Sequence, residues 1–301
     1  MKIHILSRGP QLYSTQSLFR AGMRRGHLMR IVDYTRSQLY MEKNNFYILQ
    51  NGHRLETPDA IIPRIGSSAT TQGAALISHY EALGAITPLR STALLQARDK
   101  LRCLQKLASN GIDIPHTAYP SNSENLDKLI HQLGGLPIVI KLLESTHGMG
   151  VILADNLHSV SSTVEAFQRL KEQVILQEFI KEAKGADIRA LVVAGKVVAA
   201  MKRQAKKGEF RSNLHRGASA SIFKLSAQEN DLVIRSTQVM GLDMAGVDLL
   251  QSTRGPLLME VNASPGLEGI ETTTGIDVAG KLIKHLERRF ALRREQKAIE
   301  K

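Results

Sequence analysis

Tryptophan is missing from this 301-residue chain, cysteine occurs once, and aromatic residues together make up only 4 %. A single thiol, Cys103, cannot close an internal disulfide, and its apolar, helical neighbourhood suits a buried structural group rather than a nucleophile. Six Tyr and seven Phe leave few rings on which bases could stack, which weighs against a platform for single-stranded nucleic acid. No stretch approaches the roughly 20 apolar residues that a bilayer crossing needs. The opening M-K-I-H-I-L-S is too short an apolar run for a signal peptide. A cytoplasmic address without a membrane partner is therefore expected, and neither low-complexity segments nor internal repeats are evident.

Acidic residues are also scarce, 28 against 40 Lys and Arg, for a formal net charge of +12. That field favours an anionic partner, but nucleotide phosphates, an acidic peptide and ribosomal RNA would all feel it. The apolar fraction of 43 % and charged fraction of 23 % are those of a folded globular protein. A chain of this length is expected to divide into several cores.

The pattern begins as a βαβ unit: an alternating strand at the N-terminus, a helix through L-Y-S-T-Q-S-L-F-R-A-G-M-R-R-G, and a second strand ending at Asp33. A polar, irregular stretch from about 42 to 56 follows, then a buried strand in P-D-A-I-I-P-R-I-G and a helix through Ala74 to Leu83. Residues 1–90 read as an open α/β domain. Ser91 is expected to cap one long helix running through A-R-D-K to Asn110, with Gly111 as its C′ residue. The span 91–184 reads as an α+β unit of short helices with the strands P-I-V-I-K-L-L, V-I-L-A-D and V-I-L-Q-E-F-I. In 185–301, two antiparallel strands turn at Ala194-Gly195. A basic loop, a helix at 226–240, a hairpin at 245–262 and a helix from about 276 follow. The near-P-loop G-I-D-V-A-G-K-L has Leu282 where a hydroxyl must reach a metal and no strand before it, so it reads as helix. The charged C-terminal run reads as a solvated face.

The chemistry is concentrated near the end, in G-P-L-L-M-E-V-N-A-S-P-G. Glu260 and Asn262, two apart on a strand, project from one face. If T-R-G (253–255) is a three-residue hairpin loop with Gly255 at positive φ, Asp248 on the preceding strand stands opposite Glu260. Two carboxylates and an amide carbonyl close together on an otherwise apolar hairpin call for a cation between them, and oxygen-only ligands suit Mg²⁺.

Aspartate, eleven residues, then E-x-N-x-x-P-G resembles the metal-binding end of the ATP-grasp ligases. L-Y-S-T, I-I-P-R-I-G, F-R-S-N-L-H-R-G and N-A-S-P-G-L-E-G-I-E resemble the RimK-type glutamate ligases within that group, over about residues 1 to 290. The resemblance implies an ATP-grasp fold behind the N-terminal open α/β domain. It implies nucleotide contacts from Lys100, Lys141, Glu178, Phe179, Asp187, Arg211, Ser212 and Asn213, and metal contacts from Asp248, Glu260 and Asn262 to two Mg²⁺ ions, with Mn²⁺ as an alternative. It also implies that Arg203 and Arg211, in the cation-rich stretch 202–216, act on the phosphoryl group through their planar guanidinia. The implied reaction is ATP-dependent addition of L-glutamate to the C-terminus of an acidic protein tail, a small-subunit ribosomal protein in the family's pattern, through an acylphosphate. Homo-oligomers, tetramers among them, come with that pattern. One departure stands out: the family's loop E-G-[ST]-Q-G-x-G here has Ser145 for the first glycine and His147 for the glutamine, while Gly148 and Gly150 are kept. Two rival readings remain open at this point: a small-molecule ligase of the D-alanine–D-alanine type, which shares E-V-N-x-S-P-G, and a non-catalytic basic module that binds RNA or ribosomes.

Overall fold

The N-terminal βαβ unit forms as its periodicity requires. In the computed structural model, which describes residues 1–143, 150–214 and 217–299, β1 (Lys2–Leu6), α1 (Tyr13–Arg24) and β2 (Leu28–Val32) come first. The stretch with no clear period in sequence is a small antiparallel sheet of β3 (Ser37–Glu42), β4 (Asn45–Gln50) and β5 (His53–Arg54). Strand β6 (Ala60–Pro63) then returns to pair in parallel with β1, giving the order β2-β1-β6, and α2 (Thr70–Ala82) follows.

Where one long helix is expected after residue 90, the chain makes two, α3 (Ser91–Arg98) and α4 (Lys100–Ser109). The break is at Asp99, whose φ of −82° and ψ of 102° leave the helical region while its side chain accepts a hydrogen bond from Arg102 N. Asp99 thus behaves as an N-cap, a role in which a short acid competes with helix continuation. The break matters because Arg98 and Lys100, on either side of it, both line the main cavity.

The middle of the chain folds as β7 (Thr117–Ala118), α5 (Leu126–Gln132), β8 (Ile138–Leu142), β9 (Val151–Ala154), α6 (Leu157–Arg169) and β10 (Val174–Glu178). Its sheet has the order β7-β10-β8-β9, and its apolar side chains form a cluster of their own around Ile138, Ile140, Val160, Val164 and Leu176. The remainder contains β11 (Ala186–Val193), β12 (Lys196–Gln204), β13 (Ser219–Ile222), α7 (Ala227–Met240), β14 (Met244–Ser252), β15 (Gly255–Asn262), α8 (Glu268–Thr274) and α9 (Val278–Ile299). These strands make a five-stranded antiparallel sheet, β13-β12-β11-β14-β15. The P-loop look-alike is the start of α9, as the absence of a preceding strand suggests.

Two apolar clusters run across the join between the N-terminal sheet and the five-stranded sheet. One unites Ile3, Ile5 and Leu18 with Leu191, Val193, Leu282, Ile283 and Leu286. The buried positions of α9 (Val278, Ala279, Leu282, Ile283, Leu286) follow helical spacing, so one face of it packs inward. Polar contacts reinforce the join: Arg25 and His27 meet Glu287, and Arg289 donates to Thr87 O at 2.6 Å. The first and last thirds therefore share cores, whereas the sheet of the middle third has its own, and all three contribute residues to one cleft. No helix among the described residues is long and apolar enough to cross a membrane.

The candidate active site

A cleft of about 1680 Å³ opens where these parts meet, larger than the roughly 300–1,000 Å³ typical of single small-ligand pockets. Every residue singled out from the sequence as a nucleotide, catalytic or metal contact lines it: Lys100, Lys141, Glu178, Phe179, Asp187, Arg203, Arg211, Ser212, Asn213, Asp248, Glu260 and Asn262. Ser145, His147 and Gly148, and also His215, lie outside the described residues.

The β14–β15 hairpin sets the floor. Asp248 stands opposite Glu260 and Gly246 opposite Asn262, though by a different route from the three-residue loop expected. Ser252 pairs with Gly255, so the turn has only two residues, Thr253 and Arg254, and Gly255 takes a φ of 105°. The residue saved in the turn reappears as a bulge at Met259, where the register shifts between Asp248 and Leu249. Bulges re-aim side chains in this way next to functional clefts. Gly246 is needed for close approach, since a Cβ there would lie 2.9 Å from Pro265 Cβ.

Asp248 is buried at 1 % exposure and does not wait for a metal to balance its charge. Arg189 donates to both of its oxygens, Nε to Oδ1 at 2.7 Å and Nη2 to Oδ2 at 2.6 Å, and Arg203 Nη2 lies 3.0 Å from Oδ2. Burial alone would raise this carboxyl's pKa, but the two guanidinia outweigh it and hold the group down at about 2. Three of the four lone-pair sites of Asp248 are thus occupied, leaving one on Oδ1. Arg203 also grips Asp187, with Nε to Oδ1 at 2.6 Å, so Asp187, Arg203, Asp248 and Arg189 form one buried chain of alternating charge. Arg203 belongs to β12 and is 3 % exposed, rather than lying in the basic loop where the sequence suggests it. Arg189 was not legible as a site residue, although its position two residues from Asp187 on β11 puts both on one face.

Glu260 is exposed to the cleft and makes no ion pair among the described residues. Asn262 Nδ2 is buried without a hydrogen-bond partner among the described residues. On the opposite wall, Lys141 Nζ donates to Gln177 Oε1 at 2.6 Å, and burial pushes its pKa down to about 8 against the pull of Glu260. Lys100 Nζ donates to Leu143 O at 2.7 Å. Glu178, at the end of β10, accepts from His116 N at 2.7 Å and pairs with Arg254 of the hairpin turn, tying the middle sheet to the floor. Phe179 meets Phe210 edge to face at 6.3 Å. Arg211 is clasped by Glu209, Nε to Oε1 at 2.9 Å and Nη2 to Oε2 at 2.8 Å.

The remaining sequence motifs converge behind the floor. Ser14 of L-Y-S-T accepts from Leu267 N at 2.9 Å, Ser17 donates to Glu271 at 2.8 Å, and Arg64 of I-I-P-R-I-G donates to Pro265 O at 2.7 Å. Segments far apart in sequence are thereby docked onto the S-P-G turn that follows Asn262.

Residues 97–286 match the family model described as the RimK-like ATP-grasp domain, and residues 1–94 match the RimK PreATP-grasp domain. The chain belongs to the RimK family. It is an ATP-grasp ligase, with an N-terminal pre-ATP-grasp domain. A protein of Ectopseudomonas mendocina named "Probable alpha-L-glutamate ligase" is 51 % identical over 96 % of both chains. In fold, this RimK-family chain is similar to the ATP-grasp ligase PsnB complexed with a phosphomimetic variant of minimal precursor, Mg and ADP (TM-score 0.74, 17 % identity, 96 % of this chain and 98 % of that one). It is also similar to a RimK domain protein ATP-grasp of Sphaerobacter thermophilus (TM-score 0.70, 20 % identity, 95 % and 99 %).

Proposed function

We propose that the chain joins L-glutamate, through its amino group, to the C-terminal carboxylate of an acidic protein tail, with ribosomal proteins of the small subunit as the favoured class of acceptor. The observation that carries the ligase reading is the register that sets Asp248 against Glu260, with Asn262 two residues on, in the same cleft as Lys100 and Lys141. Glutamate as the added group is supported by relatives 50–51 % identical that are named probable alpha-L-glutamate ligases. A polypeptide acceptor is supported by fold neighbours bound to precursor peptides. The +12 charge would enrich an acidic tail near the surface.

In this reading an oxygen of the acceptor carboxylate attacks the γ-phosphorus of ATP, and the bond from that phosphorus to the ADP oxygen breaks. The amine nitrogen then attacks the acyl carbon, the bond to the phosphate oxygen breaks, and the nitrogen loses a proton. One amide, ADP and inorganic phosphate result. Lys100 and Lys141 hold phosphate oxygens. Arg203 and Arg211 bring guanidinia to the transferring group, Arg211 exchanging Glu209 for phosphate. Phe179 and the end of β10 receive the base. Asp187, Glu178, Ser212 and Asn213 complete the nucleotide contacts.

The residues on the floor fit a divalent ion. Among the described residues Glu260 makes no ion pair, Asp248 has one lone pair left and is held ionised, and Asn262 offers an amide carbonyl, while its unpartnered Nδ2 is a donor that a phosphate oxygen beside the ion would satisfy. Among the described residues no cluster of three or more His, Cys, Asp or Glu is placed to hold a metal, so substrate phosphates must complete any coordination here, as is usual for Mg²⁺. Magnesium, in two ions or with manganese in its place, supplies charge neutralisation along the phosphates when bound.

The test is ADP release from ATP with Mg²⁺, L-glutamate and an acidic peptide bearing a free C-terminus. Turnover should require the peptide and vanish in Glu260→Ala with the far-UV spectrum and melting point retained. Peptide-independent dipeptide formation would favour a small-molecule ligase instead, and unchanged turnover in Glu260→Ala would count against the site.

A further inference from the structure

Native interiors seldom leave buried polar atoms without partners, and when they do a missing ligand is one of the usual reasons. Among the described residues three side-chain atoms are in that position: Arg98 Nε, Asn262 Nδ2 and Ser264 Oγ. All three residues line the main cleft. Asn262 Nδ2 is accounted for by a phosphate oxygen at the floor; Arg98 and Ser264 are not.

Arg98 ends α3 at the helix break and spends one nitrogen on Ile65 O, at 2.7 Å. Arg64 does not line the cleft but is close enough to feel the charge of Arg98, and it spends one nitrogen on Pro265 O, in the turn that also contains Ser264. Neither guanidinium makes an ion pair among the described residues. Burial and the charge of Arg98 push the pKa of Arg64 down to about 10, the mark of two cations kept together without a counter-ion. The wall next to them is the N-terminal end of the 13-residue α2, whose Thr70 and Thr71 also line the cleft and whose dipole adds positive potential. The charge of Glu260 is felt by both Arg98 and Lys141, so both cations stand near the floor carboxylate.

We propose that Arg98 and Ser264, with the charge of Arg64 behind them, bind the carboxylate of the incoming amine substrate that does not react, and so aim its amino group at the activated carbonyl beside Glu260 and Asn262. This rests on the carboxylate–amine ligase reading. Planar guanidinia suit a carboxylate because two parallel N–H groups match its two oxygens. The docking of the N-terminal domain onto the S-P-G turn then has a functional reason: it builds an amino-acid site from two parts of the chain.

The experiment measures steady-state ADP release by the full-length protein with ATP, Mg²⁺ and an acidic peptide, with either L-glutamate or hydroxylamine as the amine. Hydroxylamine captures the same activated carboxyl group but has no carboxylate of its own. Arg98→Gln should raise KM for L-glutamate about 10- to 100-fold, and Arg64→Gln should raise it by less, with KM for ATP within about twofold, as expected for losing a charged hydrogen bond, or the charge behind it, to one substrate. The loss in hydroxamate formation should be at least about tenfold smaller than the loss in kcat/KM for glutamate. Arg98→Lys and Arg64→Lys keep the charge and should recover part of the affinity. L-Glutamine and the α-amide of glutamic acid identify which carboxylate is held: the amide lacking it should be poor on the parent protein and lose little more on the variants. An unchanged KM for glutamate, a rise confined to the peptide or ATP, or parallel losses with glutamate and hydroxylamine would each overturn the proposal. A parent protein that releases no ADP with peptide and hydroxylamine overturns the ligase reading itself, and this inference with it.

Discussion

Arg189 holds Asp248 with both arms, 2.7 Å from Nε to Oδ1 and 2.6 Å from Nη2 to Oδ2, across the pairing of β11 with β14. The pair keeps a buried carboxylate ionised beside the cleft and restricts it to one remaining acceptor site. Replacing Arg189 by Ala should destabilise the fold by about 1–3 kcal/mol, the usual cost of losing charged hydrogen bonds, since Arg203 still pairs with Asp248. Arg189→Lys should recover only part of this, because an ammonium cannot reproduce the two-armed geometry. Urea or thermal unfolding of the two variants checks it, and a parent-like midpoint for Arg189→Ala would contradict it.

Lys141 gives the nucleotide site a pH dependence with a definite sign. Burial lowers the amine to about 8 in the free protein, so it is charged below that pH and neutral above it. Phosphates favour the charged form, so ATP affinity should be level below pH 8 and fall above it by up to about tenfold per pH unit. Lys141→Met should weaken binding and flatten this profile. Titration calorimetry with a non-hydrolysable ATP analogue across pH 7 to 9.5 checks both expectations.

Gly246 permits the S-P-G turn to lie against β14, since an added Cβ would come within 2.9 Å of Pro265 Cβ. Gly246→Val should cost about 1–3 kcal/mol through overpacking and displace the turn that Arg64 holds. The expected signature is a loss of kcat/KM for glutamate exceeding the loss in ATP affinity. Equal losses would indicate a general disturbance of the cleft.

Cys103 is 5 % exposed, and burial raises its thiol to about 12. A thiol so protonated is a poor nucleophile. The native protein should therefore resist thiol reagents at pH 8, and Cys103→Ala should retain activity, a result readily checked by reagent kinetics and ADP release.

Much of the fold was legible because its signals are local. Alternation marks β1, a short buried apolar run marks β6, Ser226 and Gly241 bracket α7 as capping rules require, and two-residue spacing put Glu260 and Asn262 on one face. What was missed depends on contacts distant in sequence. The helix break at Asp99 turns on a side chain choosing its own backbone partner over helix continuation. The bulge at Met259 compensates for a shorter turn and leaves no trace in the apolar pattern. Arg189, Arg98 and Arg64 resemble ordinary surface cations in sequence, and only the folded chain shows which acids, carbonyls and cleft walls they meet.

The most direct measurement is the intact mass of an acidic, ribosomal-type C-terminal peptide after incubation with the protein, ATP, Mg²⁺ and L-glutamate. Stepwise gains of one glutamyl residue, absent with Glu260→Ala and absent when the peptide's C-terminus is amidated, are the expected result. An unmodified peptide, or additions that persist on the amidated peptide, would contradict the account.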